Sequence, residues 1–590
     1  MSIDNSKKNV HLKHYLTMKY YCFCCSFRFL VKISKNVHTR HCSNMKGNYK
    51  DAIKKLKDLQ SNSNYLKGVV NNSIMNSAKL EDTEKYLIRS GINLEQLNDL
   101  SVIHVAGTKG KGSVCAFVEA ILRIHGFRTG FFSSPHLITV RERLRINGSP
   151  ISETDFAYYF WKVYNKLDNT KEFESDIPMY FKFLTVLMFN VFLYENIDVA
   201  IIEVGIGGEY DCTNIVKNPV CVGITSLGLD HTYLLGNTIE EIAYQKSGIF
   251  KPNTIAFTVP QKEEAIEILK ERAIERQCTL HVIPSFQYYE WENYMLNDKM
   301  LSQIKQQNAS LAIQLAVRWM QSQINSNYSS TINNNIYNKK LCNNLQENNV
   351  GASIKNIHLK KQETIDKQIN ARYISFEKIA TALSTCVWPG RQQTLKGTSF
   401  DFYLDGAHTL ESMDCCISWF NNQIEDSYGN RYLIFNMTGK RDAASFMDRL
   451  KTIKFHKVYF VPNITGISDM DDLTTDDIID EQKMQCKKYC KMWGEQSPHV
   501  VKIVANNIME VFNDIRMEHV HNDGTTICKD KSQNKPDLRY RQWVQKRSLL
   551  LVHLPLNLLR ILPFHPNQNQ CPNLRIDYLS ILCIPFVLDR

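Results

Sequence analysis

Along the first half of the chain, short apolar runs rich in β-branched residues alternate with longer stretches whose apolar positions recur every three to four residues. The runs at 102–106, 129–132, 198–203, 220–226, 254–259 and 280–283 open into polar turns, which predicts buried strands. The periodic stretches predict helices. One carries Ala52, Ile53, Leu56 and Leu59, a second covers 81–89, and a third runs from the glycine-rich turn after Ala106 to a C-cap at Gly126. Two more are expected at 242–248 and at 308–320, with Asn308 near the cap of the latter. Strands alternating with helices build a parallel sheet covered on both faces. The pattern resumes on a smaller scale beyond residue 372, with strands at 400–404, 431–436 and 456–461 and a helix at 442–450. Between the two sets, 322–372 is rich in Asn, Ser and Lys without periodicity, and a flexible insertion is expected there.

The two ends of the chain depart from this pattern. Residues 1–44 hold eight Lys or Arg against Asp4 alone, so most of the formal charge of +11 sits there and the body is nearly balanced. A balanced body argues against nucleic-acid backbone binding as its task. The segment is basic, poor in acids and mixed with aromatics, without a small-residue cleavage motif after a clean apolar core, and so reads as a mitochondrial leader rather than a secretory signal. Met45 opens a segment of different character and is expected to act as a second start. Translation from Met1 would then give a mitochondrial product, in the matrix or associated with the inner membrane, and initiation at Met45 a cytoplasmic one. At the other end Leu549 to Val552 is a strand-like run, but Pro555 follows, and proline cannot donate to a central ladder. The tail is therefore expected to leave a sheet edge open, and a spliced or frame-shifted origin would explain it. No uninterrupted apolar run approaches the roughly 20 residues of a membrane helix, so no stable membrane span is expected. Seventeen cysteines are scattered, without paired C-x-x-C motifs, and read as thiols in a reducing compartment.

Candidate chemistry collects where the predicted strands end. Val102 to Ala106 breaks into Gly107-Thr108-Lys109-Gly110-Lys111-Gly112-Ser113 before a helix. Backbone N–H groups of such a turn, with the positive end of the helix dipole, suit a polyphosphate. Lys111 would reach terminal phosphates and Ser113 a magnesium ion. The strict G-x-x-x-x-G-K-[ST] pattern is not met, because the lysine precedes Gly112, and a tight turn without a ligand is the simpler alternative. Glu203 ends the strand at 198–203 and is expected at an exposed strand end, as a hard oxygen ligand suited to magnesium. The strand at 220–226 delivers Asp230 and His231 to the same edge. Lys246 lies on a helical stretch, and the run 141–145, Arg-Glu-Arg-Leu-Arg, reads either as a solvated face or as a surface for an anionic substrate. In the second set Asp405 and His408 stand at a strand's carboxyl end.

Nine motifs in order along about 45–450 carry a family resemblance: GTKGKGS (107–113), FFSSPH (131–136), RERLRING (141–148), IEVGIGGEYDCTN (202–214), GLDHT (228–232), QKSGIF (245–250), NASLAIQLA (308–316), WPGR (388–391) and LDGAH (404–408). The chain resembles eukaryotic-type folylpolyglutamate synthases of the Mur ligase superfamily. The resemblance implies an α/β fold, with a P-loop doubly wound N-terminal domain plus a smaller Rossmann-like C-terminal α/β domain. The expected divisions are a leader at 1–44, an ATP- and folate-binding domain at 45–321, the insertion at 322–372, a glutamate-side domain at 373–539 and an atypical tail at 540–590.

The implied reaction is ATP-dependent addition of L-glutamate to the γ-carboxylate of tetrahydrofolate and its polyglutamates, through an acyl phosphate. The resemblance also implies Mg2+, a monovalent cation such as K+, and a monomer that binds no nucleic acid. By resemblance Gly110, Lys111, Gly112, Ser113, Asn308, Arg391 and Asp405 bind ATP, while Ser134, Glu203 and His231 hold the metal. Lys246 matches a lysine that is carbamylated in some relatives, and it joins Lys111 and His408 as catalytic. His408 and Ser412 are implied for the glutamate pocket and Asp211 for folate contact. Lys440 stands where the family has an acidic residue, and the TGSLHLVG-like closing strand is missing from the tail. The alternatives are a bifunctional dihydrofolate synthase, a peptidoglycan-type amino-acid ligase, and an inactive isoform with a defective C-terminal domain.

Overall fold

The computed structural model describes residues 47–59, 74–136, 139–289, 291, 301–331, 374–396, 400–407, 409–425, 429–437, 442–462, 476–496, 500–522 and 547–552. The leader, most of the insertion, His408 and Lys440 lie outside the described residues. The chain forms two compact units: Met1–Ser73 with Glu81–Leu94 and Ser152–Tyr194, and Ile74–Leu80 with Glu95–Ile151 and Glu195–Arg590.

The first unit is helical. Tyr49–Asp58 starts with a capping box between Asn48 and Asp51, and Glu153–Asn169 is capped by Ser152. Tyr180–Tyr194 is apolar on nearly every face, and Phe183 to Phe189 are all buried. The buried carboxylate of Asp176 ties this unit together, taking Arg89 Nη1 at 2.7 Å and the Tyr86 hydroxyl at 3.1 Å.

The second unit holds two sheets. The larger has eight strands in the order β4-β3-β2-β5-β1-β6-β7-β8. These are β1 (Val102–Ala106), β2 (Thr129–Phe132), β3 (Leu144–Ile146), β4 (Ser149–Pro150), β5 (Val199–Glu203), β6 (Cys221–Ile224), β7 (Ile255–Thr258) and β8 (Thr279–Val282). The run from β2 to β8 across the sheet is parallel, and β3 and β4 add an antiparallel edge. Each of β1, β2, β5 and β6 is buried along its whole length, as a parallel strand covered on both faces must be. Helices Lys111–Ile124, Gln303–Thr331 and Phe376–Thr385 build the apolar core of one face, and Ile239–Lys246 and Glu263–Glu275 that of the other. Since β1 lies between β5 and β6, the chain reverses its winding there, and the loops leaving β1, β5 and β6 meet at one edge.

Helix Gln303–Thr331 starts before Asn308 and passes Met320 into the expected insertion, so Asn308 is an interior residue of the helix and not its cap. The charged run at 141–145 is not a solvated face. Arg143 is buried and donates to His136 Nδ1 at 2.9 Å, and Arg141 donates to the Ile151 carbonyl at 2.9 Å.

The smaller sheet runs β13-β12-β11-β14-β10-β9, made of β9 (Gln393–Lys396), β10 (Phe400–Asp405), β11 (Arg431–Phe435), β12 (Lys457–Phe460), β13 (Val501–Val504) and β14 (Arg547–Val552). The tail does not leave this sheet open. β14 pairs in parallel with β10, from Phe400↔Arg547 to Asp405↔Val552, and with β11, from Arg431↔Ser548 to Phe435↔Val552. β14 is complete at Val552, and Pro555 lies outside the described residues.

Candidate active site

The loop after β1 is knitted to the loop after β6. The Thr108 and Lys109 N–H groups donate to the Ser226 carbonyl at 2.9 and 3.1 Å, and the Thr108 hydroxyl donates to the Gly228 carbonyl at 3.1 Å. Gly110 then turns the chain at φ +93°, and a Cβ there would lie 2.4 Å from Asn308 Oδ1, so the position excludes a side chain on both conformational and steric grounds. Lys111, Gly112 and Ser113 form the first turn of Lys111–Ile124, where N–H groups have no intrahelical acceptor. Asn308, buried on its own helix, is thereby placed against this turn.

Two ammonium groups converge on one carbonyl oxygen. Lys111 Nζ donates to Gly107 O at 3.1 Å and Lys246 Nζ donates to the same atom at 3.0 Å. Burial pushes the Lys246 amine down to about 7, and the charge of Lys111 adds to that depression. Lys109 pairs with Asp230 at 2.9 Å.

Glu203 is buried and not exposed as a strand end would suggest, with 4% of its surface accessible. Its Oε2 accepts the Ser134 N–H at 3.1 Å and would lie 3.3 Å from a Cβ built on Gly112. Burial raises its carboxyl above the ordinary range, while Lys111, the Ser134 N–H and Arg391 oppose that rise. Ser134 and Glu203 are thus brought together. His231 sits at φ +52° with its N–H donating to Asp230 Oδ1 at 3.0 Å, and the charges of Asp230, Lys111, Lys246 and Lys109 all act on its imidazole.

From the smaller sheet come Arg391 and Asp405. Asp405 ends β10 and accepts the Gln392 N–H at 2.8 Å; desolvation raises its carboxyl and Arg391 opposes the rise. The Arg391 guanidinium lies across Gly406, where an added Cβ would come within 2.0 Å of Nη1, and its charge reaches both Glu203 and Lys109.

Two residues have structural engagements. Asp211 is buried, and its carboxylate accepts the N–H groups of Ile206 and Thr213 at 3.0 Å and the Thr213 hydroxyl at 2.5 Å, stapling the loop after β5. Ser412 closes the capping box of helix Leu410–Ile424, with Oγ 2.9 Å from both the N–H and the carbonyl of Thr409.

Sequence reasoning missed Trp388. Its indole Nε1 would lie 3.2 Å from a Cβ on Gly112, Arg145 stacks on its ring at 5.1 Å, and Phe131 lies 5.4 Å away. Its signal was the WPGR motif at 388–391, from which only Arg391 was given a role.

Lys109, Lys111 and Arg391, with the depressed amine of Lys246, thus stand around the first turn of Lys111–Ile124, which fits a polyphosphate. Among the described residues no three His, Cys, Asp or Glu side chains form a ready metal cage. One buried carboxylate beside a phosphate site is the donor set magnesium uses when substrate phosphates supply the other oxygens, so Glu203 fits that ion.

No protein-family model matches the chain. The mitochondrial folylpolyglutamate synthase of Cricetulus griseus is 39% identical over 459 residues, which cover 76% of this chain and 73% of that protein. An FPGS–AMPPCP–folate complex superimposes with a TM-score of 0.53 at 19% identity, over 80% of this chain and 100% of that one. A bifunctional folylpolyglutamate synthase/dihydrofolate synthase from Yersinia pestis, complexed with AMPPNP and a Mn ion, does so at 0.52 and 19% identity, over 82% and 92%. The two structures share the fold, and the extent of identity with the Cricetulus griseus enzyme carries the assignment. This chain belongs to the folylpolyglutamate synthase family.

Proposed function

We propose that the protein joins L-glutamate to the γ-carboxylate of tetrahydrofolate and its polyglutamates at the expense of ATP. The observation that carries this reading is the meeting of a cation-ringed glycine turn with the buried carboxylate of Glu203 and with Arg391 beside Asp405. A carboxylate is a poor electrophile until one oxygen becomes a phosphate leaving group. The site must therefore hold the γ-phosphate of ATP in line with the folate carboxylate and neutralise the charge in transfer. The N–H groups of Lys111, Gly112 and Ser113 hold the phosphates, and Lys111 and Arg391 offset the transferring charge. Glu203, Ser134 and His231 would hold Mg2+, which would supply Lewis-acid neutralisation of the phosphate oxygens. The amine of glutamate then attacks the acyl phosphate, giving an amide, ADP and phosphate. Lys246, whose amine is neutral in good part at pH 7, is proposed to act at the same phosphates. His408 and Ser412 remain proposed for glutamate and Asp211 for folate, the last through the loop it staples rather than by a free carboxylate.

ATP and folate are assigned to 45–321, and glutamate to 373–539 together with β14. One chain carries both, so a monomer suffices. Hydroxylamine added with ATP and tetrahydrofolate, but without glutamate, should trap the acyl phosphate as a folate hydroxamate. ADP release without hydroxamate would remove this route. A bifunctional reading draws on the Yersinia pestis relative, and ligation of glutamate to dihydropteroate would establish it.

The basic leader and the mitochondrial relative support a mitochondrial product from Met1, and the change of charge at Met45 is the ground for a cytoplasmic one. A reporter carrying residues 1–44 should enter mitochondria, and a diffuse signal would refute the leader.

A further inference from the structure

Gln392 is tied at three points to two different elements. Its N–H donates to Asp405 Oδ2 at 2.8 Å, its carbonyl accepts Lys305 Nζ at 3.1 Å, and its amide Oε1 accepts the Ser302 hydroxyl at 2.6 Å. Its backbone is in the left-handed region, at φ +45°, where a residue with a Cβ is rarely found unless its surroundings hold it there. Ser302 and Lys305 stand at the start of Gln303–Thr331, and Asn308 on the same helix is the residue that meets Gly110 of the phosphate turn. Lys305 and Asn308 are three positions apart and so share a helix face. One helix end thus touches the turn that would hold phosphates and, about a turn earlier, the residue that follows Arg391 and grips Asp405.

We propose that Gln392 is a positioning residue: clamped by Ser302 and Lys305, it fixes Arg391 and Asp405 relative to the phosphate turn. This rests on the reading of that turn as an ATP site. The left-handed backbone turns the chain from Arg391 into β9, and the Ser302 hydrogen bond sets the angle of that turn. Without it the Arg391 guanidinium keeps its charge but loses a fixed place. A phosphate contact that must be made within a fraction of an ångström then weakens.

The test measures binding of AMPPNP with magnesium to the full chain by titration calorimetry, apart from ligation. Gln392→Ala and Ser302→Ala should each weaken AMPPNP about tenfold, in keeping with the cost of misplacing a positioned group. The double variant should be no worse than either single one, because both cut the same tie. Ser302→Thr, which keeps the hydroxyl, should restore wild-type affinity with an unchanged melting temperature. Hydrogen exchange at the backbone N–H of position 392 should quicken in both alanine variants. Wild-type AMPPNP affinity in Gln392→Ala, or additive losses in the double variant, would overturn the proposal. A wild-type chain that binds AMPPNP but never ligates glutamate would contradict the proposed reaction and leave the positioning role standing.

Discussion

Glu203 shows what a single residue is asked to do. Its carboxylate is kept out of water at a strand end, where Lys111 and one N–H compensate it only partly. An ionised group held this way costs stability and is retained for its charge. Glu203→Gln keeps an oxygen for the Ser134 N–H and removes the buried charge. The variant should melt no lower than the parent and lose glutamate addition by at least about 100-fold, the scale for removing one preorganised electrostatic group. A melting point well below the parent would mean that the carboxylate supports the fold instead. That the strand would end in a carboxylate could be read from the alternation of apolar run and turn. That the carboxylate is buried could not, because Ser134, which donates to it, and Gly112, against which it lies, are far away in the chain.

At the scale of elements, His125 is a latch between helices. Its Nε2 accepts the Ser375 N–H at 3.1 Å, and its Nδ1 lies 2.7 Å from the Ile121 carbonyl. An N–H can only donate and a carbonyl can only accept, so the ring is neutral with its proton on Nδ1. Burial lowers the pKa below the free histidine value of 6.5, and the nearby Lys378 adds to the effect. The folded state therefore binds fewer protons than the unfolded one just below pH 6.5. The stability this latch gives is full above that pH and falls as the solution is acidified toward the lowered value. Thermal melts of wild type and His125→Gln should converge as pH drops from about 7 to 5; curves that stay parallel would contradict the latch. The same scale shows why some elements were legible and others not. β1 and β5, at the centre of the larger sheet, are runs rich in Val and Ile, as full burial demands. Tyr180–Tyr194 went unread because a helix apolar on all faces has no period. The end of Gln303–Thr331 went unread because Asn and Ser diluted its pattern.

At the scale of the molecule, β14 had the largest consequence for the reading of the chain. Its apolar run was visible, but the nearby proline counted against a central place, and its partners β10 and β11 precede it by more than a hundred residues. Long-range pairing of this kind leaves no local signature. A chain ending at Lys546 should lose the middle rungs of the smaller sheet. It should show rapid proteolysis from about residue 400 onward, with the larger sheet resistant; unchanged resistance there would refute the central placement.

Phosphate transfer coupled to amide formation is the central chemistry of the chain. The direct measurement is incubation of the purified chain with ATP, tetrahydrofolate and radiolabelled glutamate, following label in folate together with ADP. The prediction is one ADP released per glutamate joined, with no joining when any one substrate is left out. ADP formed without label entering folate, or label entering without ATP, would contradict it.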